Sequence, residues 1–178
     1  MSESELPRPI RTRPLPGSFA IEANAEERAA LARRFAIEEV TALSASGELE
    51  ARGGAIVASG TLRAEIVQDC TISGEAFASE VDEPIALRFV QELTLPGAIE
   101  DPEEGAIIEI DLEAHKGDEI EYSGDSFDLG EAIAQTLGLA IDPYAEGPDA
   151  DKVRKDVGLE EPARDGPFAA LAGLKRGS

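Results

Sequence analysis

Residues 37–67 read IEEVTALSASGELEARGGAIVASGTLRAEIV. Within them Ile37, Val40, Leu43, Leu49, Ile56, Val57, Leu62, Ile66 and Val67 fall in runs with polar alternation. A period near two is that of a strand with one buried face, and glycines between such runs supply turns. The stretch therefore predicts strands joined by turns, broken at Gly47 and at Gly53-Gly54. The pattern returns over about 80–95, where Val81, Ile85, Leu87, Phe89 and Leu93 occupy odd-numbered positions and Pro96-Gly97 stops the run.

Upstream, the period changes. From Asn24 the chain reads NAEERAALARRF, rich in helix formers, with Leu31 and Phe35 at i, i+4 spacing. Asn24 followed three residues later by Glu27 makes a capping pair, so a helix is expected over 25–35. Residues 7–18 hold four prolines together with Arg8, Arg11 and Arg13, which predicts an extended lead segment rather than a helix.

Downstream, 99–105 reads as an acidic loop, and 107–111 and 119–122 as short strands. Residues 126–141 return to helical period, with Leu129, Ile133, Leu137 and Ala140 on one face and Ser126 or Asp128 placed to cap it. Asp142-Pro143-Tyr144 stops that helix, and an acid-rich tail follows. The tail ends in PFAALAGLK at 167–175, where Phe168, Leu171 and Leu174 share one face of a short helix opened by Pro167. Ordering so short a helix at a chain end requires a pre-formed surface, on its own domain or on a partner. The expected architecture is α+β. A largely antiparallel sheet carries an N-terminal helix and a later amphipathic helix in one domain at 19–142, between a lead segment at 1–18 and an acidic tail at 143–178 that ends in a docking helix.

Composition narrows the function classes. The 178 residues carry 37 Asp or Glu against 16 Lys or Arg, a net charge of −21, and 42% of them are hydrophobic, enough for a core. Residues 98–165 alone hold 21 acids and 5 Lys or Arg. Such a polyanion repels phosphate backbones, which disfavours broad nucleic-acid binding and favours basic protein partners. Arg8, Arg11 and Arg13 are the one basic patch, a candidate contact for RNA or for an acidic surface. Cys70 is the single cysteine; it excludes an internal disulfide and a thiolate-rich zinc site and fits a reducing compartment. No run approaches the eighteen apolar residues of a spanning helix, and Met1 leads into Ser-Glu-Ser-Glu, so a cytoplasmic protein without membrane contact is expected.

Three segments then coincide in order. They are AEIVQDCTISGEAF at 64–77, FDLGEAIAQTLGLAIDPY at 127–144 and the closing PFAALAGLK, and ANAEERAALARRF at 23–35 accompanies them. Together they resemble the YceD-type large ribosomal RNA subunit accumulation proteins. The resemblance implies a role in the accumulation of large-subunit (23S) rRNA, through synthesis, processing or assembly, and implies no biochemical activity. Many relatives carry a second cysteine three residues after the one matching Cys70; here that position is Ser73, so half of a metal or redox pair is missing. Cys70 is expected to be a small, partly buried residue at a strand end.

No catalytic, cofactor or metal residues are assigned. His115, the only histidine, shares a strand face with Asp111 and Glu113 only if a strand persists toward Gly117, and no nucleophile partner is in view. Asp128 and Glu131 lie in a first helical turn and read as dipole and capping residues rather than an acid–base pair. Tyr144 is either a recognition residue at the helix exit or an aromatic closing the core. The expectation is a non-enzymatic, cytoplasmic factor for 23S rRNA accumulation and ribosome biogenesis. It would serve as an acidic adaptor for a basic ribosomal protein or assembly factor through Tyr144, Phe168, Leu171 and Leu174, or alternatively bind rRNA through Arg8, Arg11 and Arg13.

Overall fold

The computed structural model describes residues 4–92 and 118–158. Its elements in chain order are β1 (Pro9–Arg11), β2 (Ser18–Glu22), α1 (Ala25–Phe35), β3 (Glu39–Arg52), β4 (Ala55–Asp69), β5 (Ala76–Gln91), β6 (Asp118–Tyr122), β7 (Ser126–Asp128), α2 (Leu129–Ala140) and α3 (Ala150–Asp156). The fold is α+β. Five strands form one sheet in the order β2-β3-β4-β5-β6, antiparallel except that β6 runs parallel to β5, and β1 pairs with β7 in a separate two-stranded ribbon.

Alternation in the glycine-containing stretch becomes a long hairpin. Arg52 pairs with Ala55 across Gly53 and Gly54, whose φ values of 58° and 79° define a two-residue turn open to glycine. The break expected at Gly47 is absent: β3 runs through it without interruption. Gly47 stands opposite Gly60 in register, and a Cβ on either would strike the backbone of the other strand. Here glycine marks a close approach of two backbones rather than a turn.

The strand expected over 80–95 begins earlier, at Ala76, and its buried side is Ile85, Leu87 and Phe89. Pro84 is tolerated inside it because β6 covers only Leu87 to Gln91, so that among the described residues no strand pairs with Pro84 on that side. Of the expected 126–141 helix, Ser126 to Asp128 form β7 instead, and the helix begins at Leu129. Asp128 caps it, its carboxylate accepting from the Glu131 N–H at 3.1 Å.

Helix α1 matches its expected bounds. Asn24 Oδ1 accepts from the N–H groups of Glu26 and Glu27, and Glu27 Oε2 accepts from the Asn24 N–H, the reciprocal capping box. Its C-terminus closes on Ala36 in the left-handed region, with φ 54°. Leu31 and, from α2, Leu129, Ile133 and Leu137 join Phe19, Ile21, Val40, Leu43, Leu62, Ile66 and Phe89 in one core. Both helices therefore lie on one face of the sheet. The alternate residues of β2 to β5 point the other way, where no described element covers them.

The lead segment is extended but belongs to this core. Leu6 is fully buried, and a Cβ on Gly130 of α2 would strike the Leu6 carbonyl, so the segment threads close against the helix. After α2 the chain adds α3, a short helix inside the stretch read as tail. The acidic loop at 99–105, the strand at 107–111 and the docking helix at 167–175 lie outside the described residues. No helix among the described residues is long and apolar enough to cross a membrane.

Candidate functional site

The three arginines of the lead segment have different settings. Arg8 is a structural clamp: its guanidinium donates to both oxygens of Glu27 at 2.7 and 3.0 Å, to the Pro7 carbonyl at 2.8 Å and to the Glu22 carbonyl at 3.1 Å. Its own N–H donates to Asp128 at 2.8 Å, which ties the segment to the start of α2. The Arg8 hydrogen bond, with the Asn24 N–H and the nearby positive charge adding to it, holds the Glu27 carboxyl below its ordinary pKa despite an opposing desolvation. Arg11 and Arg13 are exposed and bonded to no described carboxylate. Among the described residues the basic patch is thus two arginines without a carboxylate partner and one committed to the fold.

Tyr144 is 78% exposed and does not close the core. Its backbone, by contrast, is fixed: the Thr71 hydroxyl donates to the carbonyls of Tyr144 and Ala145 at 3.3 and 3.2 Å, and the Thr71 N–H donates to Ala145 at 3.1 Å. Leu139, 82% exposed, precedes it on α2. Phe168, Leu171 and Leu174, expected to act with Tyr144, lie outside the described residues, as do Asp111, Glu113 and His115.

Beside this loop Cys70 sits at the end of β4, only 2% exposed. The Ser73 N–H points at its sulfur from 3.4 Å, and Gly147 packs on it from the loop after α2, where a Cβ would lie 3.3 Å from Cys70 Cβ. The Ser73 hydroxyl, followed by the N–H groups of Ser73, Gly147 and Ile72, pulls the thiol down to about 7 against a desolvation that raises it. Ser73 thus favours the thiolate form of Cys70. Among the described residues no group of three His, Cys, Asp or Glu side chains is placed to hold a metal.

The sheet face that no described element covers is a surface that the candidate residues missed. Its centre is built from small side chains in register, with Ala20 opposite Ser46, Ser46 opposite Thr61 and Thr61 opposite Pro84. Carboxylates stand around it: Glu22, Glu48, Glu50, Glu65, Glu80 and Asp82 are all exposed. Near the middle, Arg63 pairs with Asp82 at 3.2 Å. Glu65 and Glu80 are directly opposite one another across β4 and β5, a like-charge pairing that costs stability. Two shallow concavities of about 470 and 450 Å³ lie on this face, sharing Ser44 and Arg63. The signal was present in the sequence, since these are the polar positions of the alternating runs. Register alone brings them together.

A third concavity, of about 510 Å³, lies at the hairpin end of the sheet, where Arg13, the Arg52 to Ala55 turn, Gln91, Tyr122 and Asp125 converge. Arg52 pairs with Glu50 at 3.0 Å, both largely exposed. Set against known protein families, curated proteins and solved structures, the chain finds no match.

Proposed function

We propose that this chain is a non-enzymatic adaptor that holds a basic ribosomal protein or assembly factor and thereby supports accumulation of large-subunit rRNA in the cytoplasm. The observation that carries the reading is the sheet face that no described element covers, on which a small-residue floor is ringed by carboxylates and Glu65 opposes Glu80 at a cost to folding. A flat floor of Ala, Ser and Thr admits an approaching backbone, and the surrounding carboxylates steer and select positive side chains. The resemblance of four segments to the YceD-type proteins supplies the ribosomal context. The tail after 158 carries the apolar motif with Phe168, Leu171 and Leu174 as a second contact, Tyr144 being its exposed aromatic counterpart in the domain.

The test is capture of identified ribosomal proteins at low and high salt, with Glu80→Lys as the variant. The expected outcome is enrichment of a basic ribosomal protein at low salt, its loss at high salt, and at least tenfold weaker capture by Glu80→Lys. Capture of no basic ribosomal protein at either salt, or capture unaffected by the variant, overturns the reading. Purified protein that leaves precursor rRNA intact with Mg²⁺ is expected of an adaptor; cleavage overturns its non-enzymatic part.

A further inference from the structure

We infer that the exposed apolar end of α2, at Leu139 and Tyr144, is the seat of this chain's own C-terminal motif, residues 167–175, which docks there and keeps Phe168, Leu171 and Leu174 covered until a partner displaces them. The sheet face takes no part in this, so the latch and the adaptor reading stand or fall separately. Among the described residues, the large apolar side chains left exposed are Leu139 at 82%, Tyr144 at 78% and Val157 at 61%. A single exposed leucine is ordinary, but these three all fall between the last turn of α2 and the end of the described chain, and no described residue elsewhere adds another. Leu139 stands on the outer face of α2, with exposed Gln135 one turn earlier. Gly138 beside it admits Phe35 of α1, whose Cε1 would meet an added Cβ at 2.8 Å, so partly buried Phe35 and Ile141 border the same end of the helix pair.

The backbone of this seat is fixed. The Ile141 N–H donates to the Leu137 carbonyl at 3.1 Å, the Tyr144 N–H donates to the Asp142 carboxylate at 2.8 Å, and the Thr71 hydroxyl holds the Tyr144 and Ala145 carbonyls. Two large side chains are thus presented to solvent on a backbone that is already ordered, which lowers the cost of binding to them. Its charge is one-sided as well. Residues 142–149 carry Asp142, Glu146 and Asp149 and no Lys or Arg, and the last turn of α2 has no basic residue against the negative end of its dipole.

The motif answers each of these features. Its three apolar side chains share one helical face, and Lys175-Arg176 close it with the cations that the end of α2 lacks. The tail also leaves the domain beside the seat. Arg154 to Glu146, and the Ala150 N–H donating to the Gly147 carbonyl at 3.0 Å, tie α3 to the loop that carries Tyr144, and the described chain ends two residues after α3. Residues 159–167 then span up to about 30 Å when extended, enough to turn back over the loop and reach the end of α2. A tether of this length gives an effective concentration on the order of millimolar, so a weak contact by three side chains is occupied within the chain before a more dilute partner is met.

Amide hydrogen exchange of the full chain, read on the peptides that cover 167–175, tests the docking from the motif's side, with a synthetic peptide of residues 159–178 as the undocked reference. The motif is expected to exchange about tenfold more slowly in the full chain than in the peptide, and at the peptide's rate in the double variant Leu139→Asp/Tyr144→Ala. From the other side, Leu171→Asp in the ¹³C-labelled full chain is expected to move the Leu139 methyl and Tyr144 ring signals while leaving those of buried Leu62 in place. Protection that is unchanged on dilution assigns the docking to a single chain; protection lost on dilution overturns it in favour of a second copy's motif. Peptide-like exchange in the wild-type chain overturns the proposal and leaves the motif free for a partner. Protection that survives in the double variant, or Leu139 and Tyr144 signals that Leu171→Asp does not move, overturns the assignment to α2. Leu139 and Tyr144 are exposed, so unchanged exchange of the β3–β4 hairpin serves as the check that the double variant is folded.

Discussion

At the scale of single residues, Cys70 shows how a short turn changes chemistry without an added charge. Ser73 and the N–H groups around it bring the thiol from 9.0 down to about 7, so the folded chain binds its proton less tightly than the unfolded one. The sign of the linkage follows: the stabilisation is absent below about pH 7, grows as pH rises, and is complete above about pH 9. Wild type is therefore expected to gain stability relative to Cys70→Ala between pH 7 and 9, read from urea midpoints. Thiolate absorbance near 240 nm should titrate close to pH 7, whereas alkylation stays slow because the sulfur is buried. An absorbance midpoint near 9 would sink this account. Ala36 carries a different cost. It holds the left-handed position after α1, with φ 54°, that glycine adopts without strain, so Ala36→Gly should stabilise the protein by about 1 kcal/mol, seen as a raised melting temperature. Neither feature was legible in the sequence. The thiol's setting depends on Gly147, brought from beyond α2, and the alanine gives no composition signal that a helix ends on it.

At the scale of elements, what could be read was what is local. The capping box and i, i+4 spacing of α1 and the Gly53-Gly54 turn are decided within a few residues, and each lies where its residues place it. Gly47 was misread because a glycine between alternating residues marks either a turn or a close backbone approach, and only its register partner, Gly60, separates the two. The three-residue strands β1 and β7 left no periodic trace, since they pair across more than a hundred residues and take three residues from the expected helix. The candidate sites divide along the same line. Exposed Arg11 and Arg13 could be picked out from composition, but Arg8 is withdrawn by Glu27 and Asp128, and the sheet face exists only once register is set. The Gly47–Gly60 pair also supplies a test. With a Cβ on Gly60 meeting the Ser46 carbonyl and the Gly47 Cα, β3 and β4 must move apart at the middle of the sheet. Gly60→Ala should therefore cost roughly 3 kcal/mol, measured by urea unfolding, whereas the same change at exposed Gly17, which has open space, should cost far less. Equal effects at the two positions would contradict the close approach.

At the scale of the whole molecule, the acid surplus sets folding against the proposed capture of a basic partner. The fold spends several of its 16 Lys and Arg on internal ties, Arg8 to Glu27, Arg34 to Glu5 and Glu131, and Arg154 to Glu146 and Asp151. What remains outside is a field of carboxylates that repel one another, most directly Glu65 and Glu80 across the sheet. Compactness brings these charges together, so screening them favours the folded state. The same screening weakens the pull on a basic partner. Stability and partner capture should therefore respond to salt in opposite directions. Between about 0.01 and 1 M NaCl the Debye length falls from about 30 to about 3 Å, long enough to couple the carboxylates of one face at the start and too short at the end. The melting temperature is expected to rise by several degrees over this range while capture of a basic ribosomal protein is lost. Glu80→Lys separates the two effects: it turns the opposed carboxylates into an attractive pair, so it should melt higher than wild type at low salt, show a smaller rise with salt, and capture less. A melting temperature that does not depend on salt, with capture still salt-sensitive, would mean that the acid surplus serves the partner without burdening the fold.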